Sequence, residues 1–306
     1  MAKSTFLNSK SSVISATILG EVLRGVEEQV SAMKEDVTTP TSWVGSVNKL
    51  PGELSKDIPS AVRMLKRRTG GLDPPRIGRF VVVSGIDKSG KETHCFNPRG
   101  RRDISSVTDH LSGRGYRVLK KALPSYNTSI GSLIATYLGK PTKFDLDGKL
   151  DADCAWVLWA LDRAQHNADV ENWIRANPRN VALSKRWTET NIAYQLPNGI
   201  SSQRILSLEC NLVKPDLTIV IDVPPEASMK RIAFGEALDR YENLEYLRKV
   251  REIYLRLPDY YPFGEVISID GSKSLLETNR AILSAVDRDS WFKDAENPVR
   301  SPGRSS

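Results

Sequence analysis

The fold is decided by residues 81–93, which have the sequence Val-Val-Val-Ser-Gly-Ile-Asp-Lys-Ser-Gly-Lys-Glu-Thr. A β-branched run of this kind predicts a buried strand, and the glycine-bounded loop after it leads into a predicted helix. This is the phosphate-binding loop pattern G-x-x-x-x-G-K, in which glycines let main-chain N–H groups turn toward an anion. We therefore expect the loop to bind a nucleoside triphosphate and Lys91 to reach its β- and γ-phosphates. The alternative is a glycine-rich turn without a ligand.

The composition limits the class of protein. The chain has 306 residues, enough for one large α/β domain with an appendage or for two modest domains. No apolar run reaches the length of a membrane span, and the N-terminus lacks the apolar core of a secretory signal. Cys95, Cys154 and Cys210 have no zinc spacing and are odd in number. We therefore expect a cytoplasmic protein in a reducing compartment, without a membrane partner.

The net charge of +7 is unevenly distributed along the chain. Residues 97–121 carry seven Arg or Lys side chains against two Asp. Such a stretch is compatible with binding to nucleic-acid phosphates, but it has a single aromatic residue and no nucleic-acid-binding motif. A solvated basic face, or attraction of anionic nucleotides, is the preferred interpretation.

The chain changes character near residue 78. Helical spacing predicts an amphipathic helix over 12–33, and a short basic helix follows over 60–68. From residue 80, strand-like runs at 80–84, 117–123, 181–184, 217–223 and 266–270 alternate with helical patterns at 151–167, 226–234, 244–257 and 275–290. This alternation predicts a parallel sheet with helices on both faces and a ligand at the carboxyl ends of the strands. Asn97-Pro98 is expected to break the helix after the loop.

We expect three regions. Residues 1–77 form a helical extension of unassigned role, residues 78–292 form the α/β domain, and residues 293–306 form a disordered tail rich in Pro, Ser and Arg.

Further motifs follow the loop in a specific order. They are Pro-Ser-Tyr-Asn-Thr-Ser-Ile-Gly at 124–131, Leu-Trp-Ala-Leu-Asp-Arg at 158–163, Lys-Arg-Trp-Thr-Glu-Thr-Asn-Ile-Ala-Tyr-Gln at 185–195, Pro-Asp-Leu-Thr-Ile-Val-Ile-Asp-Val-Pro-Pro-Glu at 215–226, Arg-Ile-Ala-Phe-Gly at 231–235 and Asp-Arg-Tyr-Glu at 239–242. From about residue 80 to 286 the chain resembles thymidylate kinases, the P-loop nucleoside monophosphate kinases that convert dTMP to dTDP. The resemblance implies the P-loop kinase three-layer fold with a five-stranded parallel sheet. The first 77 residues have no counterpart in it.

The resemblance implies a set of dTMP-binding residues. Trp159 is similar to the aromatic residue that stacks on thymine, and Arg163 to the arginine that hydrogen-bonds the base. Arg186 is similar to the arginine that holds the acceptor phosphate, and Asn191 and Tyr194 to residues that contact the base and crowd the sugar 2′ position. The implied set is Asp87, Tyr126, Trp159, Arg163, Arg186, Asn191, Tyr194 and Gln195. Three alternatives to ligand binding stay open: Trp159 could pack in the core, Arg163 could form a surface salt bridge, and Gln195 could have a structural role.

The resemblance also implies an ATP-binding set. Lys88 stands where one branch of the family has a basic residue in the phosphate loop. In that branch the lid does not supply the catalytic arginine. Consistent with this, the lid-like stretch at residues 233–238 contains no Arg or Lys. Arg231 resembles the arginine against adenine, and Arg240 closes the lid segment, although both are compatible with a solvated helix surface. The implied ATP-binding residues are Gly85, Ile86, Asp87, Lys88, Ser89, Gly90, Lys91, Glu92, Thr93, Arg231 and Arg240. The implied catalytic residues are Lys88, Lys91, Arg186 and Asp87.

Three positions depart from the family pattern. Glu92 replaces a hydroxyl that contacts Mg²⁺, with Thr93 next to it. Lys185 replaces an acidic residue expected to organise Mg²⁺ or its waters. Tyr126 replaces an arginine at the acceptor phosphate and can donate only a single uncharged hydrogen bond. The metal ligands are therefore unassigned, with Asp87 or Glu92, acting through water, as candidates.

The sequence thus predicts ATP- and Mg²⁺-dependent phosphorylation of dTMP by a cytoplasmic homodimer packed through helices. Catalysis would be mainly positioning, because the attacking phosphate oxygen is already anionic. One alternative is a nucleotide-binding, kinase-like protein with reduced or lost catalysis, with the N-terminal extension as its interaction module. The other is a kinase for a different nucleotide or nucleoside acceptor.

Overall fold

The computed structural model describes residues 11–32, 43–67, 75–231, 240–241 and 243–288. The chain divides into two compact units. The N-terminal unit combines Met1–Arg67 with Pro124–Gln165, and the sheet unit combines Arg68–Leu123 with His166–Ser306. The predicted lid at 233–238 and the predicted tail at 293–306 lie outside the described residues.

The helices and strands of the described residues follow one another in this order: β1 (Ser12–Ser15), α1 (Ala16–Ala32), α2 (Trp43–Val47), α3 (Leu54–Lys66), β2 (Arg79–Ser84), α4 (Lys91–Phe96), α5 (Val107–Gly113), β3 (Arg117–Ala122), α6 (Ser129–Tyr137), β4 (Phe144–Asp147), α7 (Ala152–Ala155), α8 (Val157–Ala176), β5 (Asn180–Lys185), α9 (Thr188–Gln195), a 3-10 helix (Leu196–Asn198), α10 (Ser202–Leu208), β6 (Leu217–Asp222), α11 (Pro225–Met229), α12 (Leu244–Leu255), α13 (Leu257–Tyr260), β7 (Glu265–Asp270) and α14 (Leu275–Arg288).

The sheet unit is organised around five parallel strands in the order β3-β5-β2-β6-β7. The central strand β2 is buried on both faces, which explains its continuous apolar sequence. Because side chains alternate along a strand, Val81 and Val83 pack with apolar residues of α5 and α14, whereas Phe80 and Val82 pack with residues of α8. Helices therefore cover both faces of the sheet, as predicted.

The strand predictions for the sheet unit are confirmed to within one residue at each end. The predicted break after the loop is also confirmed, because α4 ends at Phe96 and Asn97 adopts a left-handed conformation with φ 44°.

The N-terminal unit has its own small sheet and an apolar core. β1 pairs in parallel with β4, from Ser12 opposite Phe144 to Ser15 opposite Asp147. Helix α1 packs against α2, α3 and α7, and α3 packs against α6. Helix α6 is buried almost all round, and a Cβ at Gly131 would lie 1.9 Å from the Ser125 carbonyl oxygen. Glycine at that position therefore lets α6 begin directly against the 125–126 main chain.

Several sequence expectations differ from this arrangement, among them the helix predicted over 60–68, which spans Leu54–Lys66. The helix predicted from residue 12 begins at Ala16, because residues 12–15 pair with β4, a partner far along the chain that local periodicity does not reveal. Residues 1–67 group with 124–165 rather than standing alone as a 1–77 extension. The physical reason is a shared core, joined by polar contacts such as Ser129 Oγ to Glu53 at 2.8 Å and Arg24 to Asp151 at 3.2 Å.

Candidate active site

Three residues with positive φ shape the loop after β2. They are Gly85 (φ 137°), Lys88 (φ 55°) and Gly90 (φ 92°). A Cβ at Gly85 would lie 2.5 Å from the carbonyl oxygen of Ile221, so the position has no room for a side chain. Left-handed turns direct successive main-chain N–H groups to one side, which creates an anion-binding concavity. The loop thus has the backbone form that phosphate binding requires.

The ammonium group of Lys91 lies inside this loop. Its Nζ donates hydrogen bonds to the Gly85 carbonyl and the Ser89 hydroxyl, both at 3.1 Å, and to the Ile86 carbonyl. Burial, and next the charge of Arg186, hold the pKa of Lys91 well below its usual range. A second cation beside a desolvated ammonium favours an anion between them.

Asp87, Arg186 and Tyr194 contact one another pairwise. The Arg186 guanidinium forms an ion pair with Asp87 and lies 5.2 Å from the centre of the Tyr194 ring, while the Tyr194 hydroxyl donates to Asp87 at 2.9 Å. Burial acts to lower the pKa of Arg186, but the Asp87 carboxylate and Tyr194 raise it well above its usual range. Burial and the Asp87 charge raise the pKa of Tyr194 well above 10.0. The guanidinium is therefore charged and fixed in direction, and the tyrosine is a neutral donor.

The backbone of Arg186 is also unusual. It has φ 72°, and such a left-handed conformation costs a non-glycine residue about 1–3 kcal/mol. Its N–H donates to the Val83 carbonyl at 3.1 Å, and its own carbonyl accepts from the Ser184 hydroxyl at 2.7 Å. The end of β5 therefore holds Arg186 in a turn that directs its side chain to Asp87.

Two departures from the predicted pattern meet at the start of α4. Lys185 Nζ lies 2.8 Å from Glu92 Oε2. Lys185 ends β5 opposite Val83, and Glu92 is in the first turn of α4. The predicted metal carboxylate at 92 is therefore paired with a cation.

The outer side of the loop is tied to two other segments. Arg231 donates to the Lys88 carbonyl at 3.1 Å and to the Gly271 carbonyl at 3.4 Å. The Ser228 hydroxyl donates to the Asp87 carbonyl. Arg231, which the resemblance implies lies against adenine, thus links the loop to the turn after β7. Arg240 is exposed.

Helix α9 presents the remaining predicted acceptor residues of the sheet unit. The Asn191 amide donates to Glu209 at 2.9 Å, and Thr188 donates to the other Glu209 oxygen at 2.6 Å. Among the described residues, the buried Asn191 Oδ1 has no hydrogen-bond partner. Gln195 donates to the Tyr241 hydroxyl at 3.4 Å. Asn191 is thus held by a buried carboxylate that the sequence did not single out.

The other predicted acceptor residues belong to the N-terminal unit. Trp159 packs edge-to-face on Tyr137, with ring centres 5.6 Å apart. Arg163 is only 2% exposed, which contradicts the alternative of a surface salt bridge. Tyr126 is exposed, and Lys140 Nζ lies 3.4 Å from its hydroxyl and 5.0 Å from its ring centre. A cation therefore accompanies the tyrosine that replaces an arginine.

Asp162 fixes the start of the Tyr126 loop. Its carboxylate accepts hydrogen bonds from the Ser125 N–H at 3.1 Å and from Gln165 at 2.7 Å. Burial raises the pKa of Asp162 to about 6. The interaction holds the main chain immediately before Tyr126.

The residues present do not build a metal centre of their own. Within the described ranges, no group of three or more His, Cys, Asp or Glu side chains is placed to hold a metal ion. The two predicted carboxylates, Asp87 and Glu92, pair with Arg186 and Lys185. Mg²⁺ commonly binds through substrate phosphates and keeps several waters. The arrangement therefore fits an ion carried on the nucleotide rather than one held by the protein.

Sequence reasoning missed several residues that organise the site. Glu189 is buried between β2 and α9 and accepts from the Trp187 N–H at 2.8 Å, from Thr190 at 3.0 Å and from Ser84. Lys140 and Glu209 were also missed. Each occurs in an ordinary helical or turn pattern, so only the tertiary contacts distinguish these residues from surface charges.

Other features bear on binding partners. No helix of the described residues is long and apolar enough to span a membrane. Within the basic stretch, Arg101 pairs with Asp103 and Lys121 with Asp169, both at 2.7 Å. Part of that positive charge is thus neutralised within the protein.

Together, the parallel sheet, the positive-φ loop, its lysine and the arginine after β5 define a P-loop phosphotransferase acting on nucleotides. The family model of thymidylate kinase matches residues 83–282. The chain is 34% identical over 217 residues to the probable thymidylate kinase of Pyrobaculum aerophilum, a match that covers 70% of this chain and 99% of the relative. The thymidylate kinase of Arabidopsis thaliana is 26% identical over 192 residues, or 63% of this chain and 65% of the relative.

A solved structure agrees with the fold. The thymidylate kinase of Candida albicans has a TM-score of 0.52 at 20% identity, covering 70% of this chain and 93% of its own. The chain belongs to the thymidylate kinase family. The predicted fold, family and enzyme class are confirmed, with dTMP phosphorylation as the activity and ATP as phosphate donor; nothing in these comparisons favours the alternatives.

Proposed function

We propose that the chain transfers the γ-phosphoryl group of ATP to dTMP mainly by positioning the two phosphates between fixed cations. The observation that carries this proposal is the pairing of two largely buried cations, Lys91 and Arg186, at the carboxyl ends of β2 and β5. Burial, and next the charge of Arg186, lower the pKa of Lys91, so the two cations act on each other where water is largely excluded. Phosphate oxygens entering there relieve this repulsion.

Each residue of the sheet unit then has a distinct task. A dTMP phosphate oxygen attacks the γ-phosphorus, and the bond to the bridging oxygen breaks as ADP leaves. Lys91 binds the β- and γ-phosphates, Arg186 holds the acceptor phosphate, and Lys88 neutralises charge on the transferred group. Asp87 is a positioning residue, because its contacts are to Arg186 and Tyr194. No general base is needed, since the attacking oxygen is already anionic.

We assign acceptor recognition to the residues that the resemblance implies. Trp159 stacks on thymine and Arg163 hydrogen-bonds the base, while the Tyr194 ring crowds the sugar 2′ position. Tyr126, with Lys140 beside its hydroxyl, takes the place of the arginine at the acceptor phosphate. Asn191, hydrogen-bonded to Glu209, and Gln195, hydrogen-bonded to Tyr241, complete this set within the sheet unit.

The donor enters as its Mg²⁺ complex, because the loop offers main-chain donors and cations for the phosphates. We further propose a homodimer, as the resemblance implies, and a cytoplasmic location, which suits the free thiols of Cys95, Cys154 and Cys210. Light scattering of the purified chain measures the oligomeric state.

The experiment is a coupled ADP-release assay on wild type and Lys91→Ala with dTMP, dUMP, UMP, CMP and AMP as acceptors. We expect wild type to prefer dTMP and Lys91→Ala to lose at least about 10³-fold in rate, because an important phosphate-binding cation is gone. Lys249→Ala, which removes an exposed lysine of α12 paired with Glu245, is the matched control. Wild-type turnover by Lys91→Ala would contradict the assigned role of the loop, and preference for another acceptor would contradict the assigned substrate.

A further inference from the structure

Lys185 and Glu92, two separate departures from the family pattern, contact each other. The resemblance leads one to expect a carboxylate at the end of β5 and a hydroxyl on α4. This chain has an ammonium at the strand end and a carboxylate on the helix, 2.8 Å apart. The two changes are therefore reciprocal, and the negative charge has moved from the strand to the helix.

The Lys185 ammonium belongs to a group of cations around the loop. Lys185 directly precedes Arg186, and the pKa of Lys91 is lowered first by burial, then by Arg186, and also by Lys185. The Lys185 side chain is 19% exposed and that of Glu92 is 55% exposed, so the carboxylate is the more solvated partner. Three cations thus gather where the carboxyl ends of β2 and β5 meet, the edge at which a parallel sheet binds its ligand.

We propose that Lys185 is a further phosphate-binding residue of this enzyme, held beside the loop by Glu92 until the triphosphate of ATP binds. The inference rests on the proposed function and deepens its donor site. Phosphate oxygens attract the ammonium and repel the Glu92 carboxylate, so the bound nucleotide takes over the hydrogen bond that Glu92 accepts in its absence. The cation supplies positive charge at a position where an acidic residue would instead require a metal ion.

The two residues have opposite effects on ATP affinity. Lys185→Met removes a charge-assisted hydrogen bond to phosphate and weakens ATP binding about 10- to 100-fold. Glu92→Gln keeps an acceptor for the ammonium but removes a charge that repels phosphate, so ATP binds several-fold more tightly. Lys185→Arg retains the cation and most of the affinity. A merely structural ion pair would make both removals lower the Tm and leave ATP affinity unchanged.

Isothermal titration calorimetry of the full chain measures these affinities, with ATP in the presence of a chelator and again with added Mg²⁺. We expect the effect of Lys185→Met to be largest without metal, where the protein alone supplies the positive charge. Lys249→Met, which breaks the exposed ion pair with Glu245 on α12, is the control and leaves ATP affinity and Tm unchanged. If Lys185→Met does not fold, the inference is still tested by Glu92→Gln, through its expected gain in ATP affinity, and by Lys185→Arg, through its expected retention of ATP affinity.

Unchanged ATP affinity in Lys185→Met, or weaker ATP binding in Glu92→Gln, overturns the inference. These outcomes are separable from a failure of the proposed function. Wild type that phosphorylates dTMP but binds ATP independently of Lys185 contradicts only the inference. Wild type whose ATP affinity depends on Lys185 but which phosphorylates no tested acceptor contradicts only the proposed function.

Discussion

Removing one hydroxyl group, by Tyr194→Phe, tests whether the Asp87–Arg186 pair is positioned as the structure indicates. The hydroxyl donates to Asp87 at 2.9 Å, and the ring remains under the guanidinium, 5.2 Å from it. The variant therefore removes the interactions of the hydroxyl with Asp87 and Arg186 and leaves the ring contact unchanged. Asp87 keeps its ion pair with Arg186 but loses its second anchor.

The magnitude follows from the burial of this cluster. The Arg186 side chain is 11% exposed and that of Asp87 is 28% exposed, so water replaces the lost donor poorly. A hydrogen bond to a charged group contributes about 1.5–3 kcal/mol, and we expect the free energy of unfolding to fall by that amount. Less accurate positioning of Arg186 should raise the activation free energy of phosphoryl transfer by about 1.4 kcal/mol, which lowers kcat about tenfold. The KM for ATP stays unchanged.

Tyr254→Phe is the matched control. Tyr254 is equally buried, its ring centre lies 6.5 Å from that of Tyr194, and its hydroxyl contacts Thr190 at 2.9 Å. Loss of this neutral hydrogen bond costs about 0.5–1.5 kcal/mol in stability and leaves kcat within about twofold. Urea denaturation and the coupled ADP-release assay with dTMP measure both quantities.

Equal kcat values for the two variants would refute the positioning argument. A second readout separates it from the sugar-crowding role, which depends on the ring and not on the hydroxyl. Tyr194→Phe should therefore keep the wild-type preference for dTMP over UMP. A changed preference would mean that the hydroxyl itself contacts the acceptor.

Two further predictions concern the N-terminal unit. Burial raises the pKa of Asp162 from 3.8 to about 6, so the folded state retains a proton that the unfolded state releases above about pH 4. The free energy of unfolding should therefore fall by about 3 kcal/mol as the pH rises from about 4 to 6. Urea denaturation at pH 4, 5, 6 and 7 should show this dependence in wild type and its absence in Asp162→Asn. Leu23→Ala, at a fully buried position of α1, should lower the free energy of unfolding by about 2–5 kcal/mol. Val13→Ala, at a position of β1 that is 68% exposed, should change it by less than about 0.5 kcal/mol. Similar losses in both variants would show that α1 is not part of the core.

The three central strands of the sheet unit, β2, β5 and β6, were predictable because each is a short, mostly apolar run between turn signals. Burial on both faces leaves few polar positions, and such runs are recognisable without a partner. The edge strands β3 and β7 are more exposed and carry charged residues, so their signal is weaker. β1 and β4 were not predictable for the opposite reason. Ser-Val-Ile-Ser and Phe-Asp-Leu-Asp are brief and mixed, and each becomes a strand only by pairing with the other.

In the candidate active site, too, some features were predictable from the sequence and others were not. The loop and Lys91 follow from spacing, and Arg186 and Tyr194 follow from the resemblance, but their mutual contacts do not. Glu92 and Lys185 each weakened the functional prediction while they were considered separately. Only the register of β5 against β2, with α4 beside it, shows that the two departures contact each other.

The grouping of residues 1–67 with 124–165 changes how the acceptor residues should be understood. The family model begins at residue 83, yet Tyr126, Trp159 and Arg163 belong to a unit to which the segment before that model contributes β1, α1, α2 and α3. Glu53 contacts both Ser129 at the start of α6 and Lys143 before β4. We therefore expect substitutions in this N-terminal segment to affect Tyr126, Trp159 and Arg163 through their supporting core, and substitutions in the loop after β2 to affect nucleotide binding directly. The segment without a family counterpart is thus part of the unit that holds Tyr126, Trp159 and Arg163, three residues to which we assign acceptor recognition.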